Sequence, residues 1–89
     1  MNSLVTGYTY ILTCNDGTLY VGSTTDLVKR LHQHNHAKSG AHYTKIRRPV
    51  TLVYSEHFPT LKEARAREMA LKKLTRAEKI QLIQTTVLQ

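Results

Sequence analysis

The sequence predicts an α/β fold, a small three-stranded and mainly antiparallel sheet flanked by about three helices. Three observations predict it. Residues 7–22 alternate with period two around Asn15-Asp16-Gly17, the pattern of a β-hairpin closed by a turn that tolerates positive φ. A second run dense in β-branched and aromatic residues, VTLVYSE, stands at 50–56. The stretches between and after these have helical spacing, each opened by Ser, Thr or Asp where a helix N-cap is wanted.

Taken in order, residues 1–6 read as a loose N-terminus and 7–14 as the first strand, with Tyr8, Tyr10, Leu12 and Cys14 on one face. Residues 18–22 return antiparallel to it, and Ile11, Leu19 and Val21 form an apolar face opposite the tyrosines. Ser23-Thr24-Thr25-Asp26 supplies capping groups for a first helix. Leu27, Val28 and Leu31 are its expected buried stripe, and its expected end is near Lys38-Ser39-Gly40, where glycine can take a left-handed cap. GAHYTKIRRP, 40–49, reads as a polar, basic loop before the third strand. Thr60 with Glu63, after Pro59, and Thr75 with Glu78 are capping-box patterns opening a second and a third helix, the latter with a stripe of Ile80, Ile83 and Val87.

At 89 residues the chain is one domain, 1–89, with a core at about 7–83. No run approaches the ~20 apolar residues that span a bilayer. The opening MNSLVTGYTYIL lacks the basic region of a signal peptide. Cys14 is the single cysteine, so an internal disulfide is excluded and a buried thiol is expected. Together these point to a cytoplasmic protein with no membrane partner. Thirteen Lys and Arg against six Asp and Glu give +7, with a pI near 9.9. In a domain this small that balance suits a phosphate-rich partner, although a basic solubility surface would show the same charge.

The polar residues gathered by residues 8–34 are those that phosphodiester chemistry uses. Tyr10 and Tyr20 come from paired strands, and Arg30 and His34, four apart, share one side of a helix. Each has a structural alternative: tyrosine packs well in strands, and Arg30 and His34 could form a basic outer face. Arginine, a fork of donors, suits the charge of a phosphoryl transition state, and His34 would bind phosphate or shuttle a proton. Glu68 falls between Leu61, Ala64 and Leu71 on a stripe facing the core, where a carboxylate is costly unless paired or bound to a cation. A salt bridge to Arg65 or Lys72 would satisfy it equally. His32, His34 and His36 do not make a metal cluster, because helix residues two apart point to different sides.

These residues carry a resemblance. Tyr8-Thr9-Tyr10 and Tyr20-Val21-Gly22, with Arg30 ten residues after Tyr20 and His34 four later, resemble the core of the GIY-YIG nuclease superfamily. GAHYTKIRRPVTLVYSE and EARAREMALKKL are similar to its small stand-alone bacterial branch, the UPF0213-like proteins. Tyr8 and Thr9 depart from the glycine and isoleucine of the first motif. The resemblance implies three strands and three helices, and a metal-dependent DNA endonuclease with a role in repair or recombination. It implies one Mg²⁺ or Mn²⁺ ion on Glu68, a match to the family's single metal-binding glutamate. It also implies that Tyr10 helps deprotonate or orient the attacking water while Tyr20 binds a phosphate oxygen or shares that proton transfer. A free phenol has a pKa of ~10, so a base role needs a metal or a cationic neighbour.

For nucleic acid, Tyr43 could stack on a base, while Lys45, Arg47, Arg48, Arg65 and Lys72 could meet phosphates. Two other readings stay open. One is a non-catalytic nucleic-acid-binding module that keeps the nuclease scaffold and acts with a protein partner or as a homodimer; the other is an interaction domain for an acidic protein.

Overall fold

The computed structural model describes residues 6–38 and 41–87. Two strands, β1 (Gly7–Thr13) and β2 (Leu19–Thr24), are followed by helices α1 (Leu27–His36) and α2 (His42–Lys45). Strand β3 (Thr51–Phe58) and helices α3 (Leu61–Lys72) and α4 (Arg76–Val87) complete the chain. The sheet is antiparallel throughout, in the order β2-β1-β3, so β1 is central and β2 is an edge. Gly17, at φ 85, turns the hairpin, and Tyr10 falls opposite Gly22 in the β1–β2 register.

The two faces divide as the alternation predicts. Tyr10, Leu12 and Cys14 pack with Val50, Tyr20, Leu27, Leu31 and Leu52 beneath α1. Ile11 and Val21 pack with Tyr54, Leu71, Leu19, Leu82 and Ile83 on the side of α3 and α4. Helix α3 sits hard on β1: a Cβ on Gly7 would stand 2.7 Å from the Leu61 Cα, and the Thr9 hydroxyl donates to the Ala64 carbonyl at 2.6 Å. Both predicted N-caps form, Thr60 accepting from the Glu63 amide at 3.2 Å and Thr75 from the Glu78 amide at 3.1 Å. The box closes at Thr75, whose own amide donates to Glu78 Oε1 at 2.8 Å, whereas Glu63 Oε2 accepts from the Thr60 hydroxyl at 3.0 Å.

Several expectations need correction. Strand β2 runs on through Ser23 and Thr24, and Asp26 alone caps α1, accepting from the Lys29 amide at 3.0 Å. Val28 is 82% exposed. The buried stripe of α1 is Leu27, Leu31 and His34, and Val28, one residue along, is turned ~100° away from it. Helix α1 ends at His36, and Arg48 closes it, donating to the carbonyls of His34 at 2.6 Å, Gln33 at 3.2 Å and Ala37 at 2.6 Å. An arginine from the next segment thus does what a glycine cap was expected to do; Ser39 and Gly40 lie outside the described residues. The expected loop at 40–49 contains the short α2, which places Thr44 against α1. Ile83 packs on the core and Ile80 is half-buried, whereas the side chain of Val87 lies outside the described residues. Among the described residues, no helix is long and apolar enough to cross a membrane.

Candidate active site at the sheet edge

Because Tyr10 and Tyr20 both project toward α1, they meet the one polar residue of that helix's buried stripe. The Tyr10 hydroxyl lies 2.8 Å from His34 Nε2, and the Tyr20 ring stands edge-on to the imidazole with centroids 5.1 Å apart. Tyr10 is 2% exposed and His34 fully buried, while Tyr20 is half-buried and nearer the surface. On the other side of the imidazole, Nδ1 lies 2.7 Å from the Thr44 hydroxyl, which donates to the Ala41 carbonyl at 3.1 Å.

Burial pushes the Tyr10 phenol up to about 12, with the Arg30 guanidinium beside it pulling the other way. Burial, reinforced by the cations of Arg30 and Arg48, takes His34 down to about 4. At neutral pH the pair is therefore a phenol against a neutral imidazole. Arg30 is half-buried, one turn before His34, and its Nη1 donates to Gln33 Oε1 at 3.2 Å.

Glu68 arrives from the opposite face of the sheet, around the β2 edge, within electrostatic reach of the Tyr10 phenol. Its Oε1 accepts from the Ser23 hydroxyl at 2.5 Å and its Oε2 from Lys72 Nζ at 2.7 Å. The Lys72 side chain is 57% exposed, and the carboxylate holds its pKa above the ordinary lysine value. Of the two partners that pattern alone allowed, Lys72 is the one used; Arg65 is exposed. Among the described residues, no three His, Cys, Asp or Glu side chains come together as a metal cluster. A single carboxylate, completed by waters and phosphate oxygens, is nevertheless a usual holding for Mg²⁺. An exposed lysine on Oε2 is a cation that a divalent ion can displace, so the donor set fits one such ion.

The structure therefore brings Tyr10, Tyr20, Arg30, His34 and Glu68 together, and treats the basic residues differently. Tyr43 stacks under the Arg47 guanidinium at 3.9 Å and lies 5.9 Å from the Tyr20 ring. Arg47 is tied to Asp16 at 2.9 Å and Lys45 to the Lys38 carbonyl at 2.8 Å. Arg48 is the cap of α1, and Arg67 pairs with Glu56. Arg65 and Lys72 are the exposed cations of α3 nearest Glu68 in sequence. His32 and His36 stack on each other at the surface, 4.6 Å apart, away from the buried His34.

Three residues escaped sequence reasoning. Gly22 lies beneath the Tyr10 ring, where a Cβ would stand 2.4 Å from the hydroxyl oxygen. The turn at Asp16-Gly17 already pairs positions 10 and 22, so this signal was present. Ser23 carried a signal only for a helix cap. Thr44 carried none, because its partner lies ten residues away across a segment with no periodicity.

A family model described as the GIY-YIG catalytic domain matches residues 6–81. The chain is 54% identical over 76 residues to a UPF0213 protein of Syntrophus aciditrophicus, covering 85% of this chain and 87% of that one. It is 51% identical over 77 residues to a UPF0213 protein of Staphylococcus epidermidis, covering 86% and 93%. The solution structure of protein EF2693 from E. faecalis superposes with TM-score 0.64 at 43% identity, covering 100% of this chain and 94% of that one. That of the UPF0213 protein BH0048 from Bacillus halodurans gives 0.58 at 41%, covering 90% and 84%.

Proposed function

The chain belongs to the GIY-YIG family, a domain of nuclease-type activity on nucleic acid, and from that premise we propose a metal-dependent DNA endonuclease. The observation that carries the reading is the convergence at the β2 edge of Tyr10, Tyr20, Arg30, His34 and Glu68, drawn from two strands and two helices. A packed core has no use for a phenol, an imidazole, a guanidinium and a carboxylate within reach of one another. The cytoplasm is the compartment proposed, since the relatives are bacterial and their chromosome lies there. Repair or recombination is the proposed setting by family analogy.

Glu68 would hold one Mg²⁺ or Mn²⁺ in place of Lys72, and the bound ion supplies Lewis-acid polarisation of the scissile phosphate. Arg30 offers its fork of donors to the charge that develops on the phosphoryl oxygens. Tyr20, the less buried phenol, binds a phosphate oxygen, and His34 braces both tyrosines from below. Tyr10 stays a phenol at neutral pH, so it orients the attacking water; abstracting a proton would require a further cation, beyond Arg30, to offset its burial. Arg65 and Lys72 meet backbone phosphates, and Tyr43, beside Tyr20 with Arg47 stacked on it, forms a basic, aromatic shoulder to whose field Lys45 and Arg48 add charge.

The test is cleavage of labelled plasmid, single-stranded and branched DNA with Mg²⁺ or Mn²⁺, comparing the native chain with Glu68→Ala. Cutting that vanishes in the variant while DNA binding persists supports the nuclease. One observation favours a second reading, a binding module acting with a partner: both Glu68 oxygens already have protein partners. Salt-sensitive DNA binding without cutting on any substrate would select it, and equal cutting by both proteins would mark a contaminant.

A further inference from the structure

We propose that Thr44 is a positioning residue of this site: its hydroxyl sets the tautomer of His34, which turns the Tyr10 hydroxyl proton inward and presents the phenol's lone pairs to the cleft. The inference rests on the nuclease reading for its consequence in catalysis, but its structural claim stands on hydrogen bonding alone.

The argument is one of donors and acceptors. Thr44 is fully buried and its hydroxyl has one proton. That proton goes to the Ala41 carbonyl at 3.1 Å, so the same oxygen meets His34 Nδ1, at 2.7 Å, as an acceptor. Nδ1 then carries the imidazole hydrogen and Nε2 is bare. Across the ring, the Tyr10 hydroxyl at 2.8 Å donates to that bare nitrogen.

The opposite tautomer leaves Tyr10 without an acceptor inside the protein. With a proton on Nε2, the phenol would have to find another acceptor. The Arg30 guanidinium beside it has donors only, and Tyr20 and Glu68, which also lie within electrostatic reach, are not hydrogen-bonded to it. A buried hydroxyl without an acceptor is costly, and Tyr10 is 2% exposed. A doubly protonated ring fails at the same point, and it would also place a cation in a buried site beside Arg30 and Arg48. Thr44 and the α2 turn that carries it thus decide which way the Tyr10 proton points, from two bonds away. For a phenol assigned to orient water, that direction separates an acceptor facing the cleft from a donor facing it.

The test reads the tautomer directly. Long-range ¹H–¹⁵N correlation spectra of the full chain, with His34 assigned by the signals lost in His34→Gln, report which ring nitrogen carries hydrogen. The native chain and Thr44→Ser are expected to show Nδ1 protonated and Nε2 bare. Thr44→Val, which keeps the shape and loses the hydroxyl, is expected to shift the hydrogen to Nε2. In DNA cleavage, Thr44→Val should lower kcat about tenfold with KM nearly unchanged, the worth of one hydrogen bond, and Thr44→Ser should restore it. Nε2 protonated in the native chain overturns the proposal without any variant, so a failure of Thr44→Val to fold leaves it decidable. A Thr44→Val protein with the native tautomer overturns it as well. Absence of cutting by the native chain counts against the nuclease alone, because the spectra need no DNA.

Discussion

Gly22→Ala is the perturbation on which the geometry bears most sharply. The Cβ it adds would stand 2.4 Å from the Tyr10 hydroxyl oxygen, 2.6 Å from Cζ and 3.1 Å from Cε1. The backbone at Gly22 has no positive φ, so the penalty is one of space alone. Tyr10 cannot yield cheaply, being 2% exposed and wedged among Leu12, Val50, Leu27 and Leu31. Moving the ring far enough to clear the methyl breaks its bond to His34. Overpacking costs about 1–3 kcal/mol and an unmade buried hydrogen bond about 1–3 more, so a loss of about 2–6 kcal/mol is expected. In a domain of this size that lowers Tm by about 10–50 °C. Urea and thermal unfolding of four proteins measure it: native, Gly22→Ala, Tyr10→Leu and the double variant. With leucine at position 10 the clash is gone, and alanine in the strand should then be neutral or better than glycine by about 0.5 kcal/mol. An equal cost of Gly22→Ala in both backgrounds, or none in either, would refute the packing argument.

Four further outcomes are expected. Arg48→Ala should cost about 1–3 kcal/mol in urea unfolding, because its guanidinium bonds three carbonyls at the end of α1, and should leave the salt dependence of DNA binding nearly unchanged. Exposed Arg65→Ala should do the reverse, shifting stability by less than about 0.5 kcal/mol and lowering the salt slope of DNA binding by about 1. Since His34 titrates near 4 in the fold and near 6.5 when free, the unfolded chain binds more protons between those values. Stability is therefore full above about 6.5 and falls as pH drops toward 4, by no more than about 3 kcal/mol; urea midpoints at a series of pH values, native against His34→Gln, read that share. Lys72→Met frees Glu68 Oε2 from its ammonium, and for a pair this exposed the Mn²⁺ affinity, read by paramagnetic resonance of the free ion, should tighten by up to about fivefold.

What was legible in the sequence is what local chemistry decides. Asp16-Gly17 sets the hairpin and its register, Thr60 with Glu63 and Thr75 with Glu78 start the last two helices, and alternation divides the two faces of β1. Glu68 was legible because period 3.6 places it between Ala64 and Leu71, both buried. What escaped is decided at a distance. Leu27, Val28 and Leu31 do not by themselves say which flank of a short helix turns inward; the buried imidazole of His34 does, held by a tyrosine 24 positions before it and a threonine ten after. Arg48 looked like a phosphate ligand because nothing local shows that the carbonyls of α1 end beside it.

The same contrast bears on how a chain of charge +7 would meet a polyanion. In the basic segment, Lys45, Arg47 and Arg48 each bond the fold itself, so their charge adds to the field but their donors are already engaged. On α3, Arg65, Glu68 and Lys72 follow one another at three and four residues, a spacing that puts them on one side of the helix. A lone carboxylate there would repel a phosphate, whereas one flanked by two cations, with an ammonium on its own oxygen, does not. Exchanging that ammonium for a divalent ion adds one unit of positive charge at the same oxygen and releases Lys72 toward solvent. On the proposed reading, the pair that satisfies Glu68 in the free protein would therefore also keep the sheet edge approachable by nucleic acid before a metal is bound.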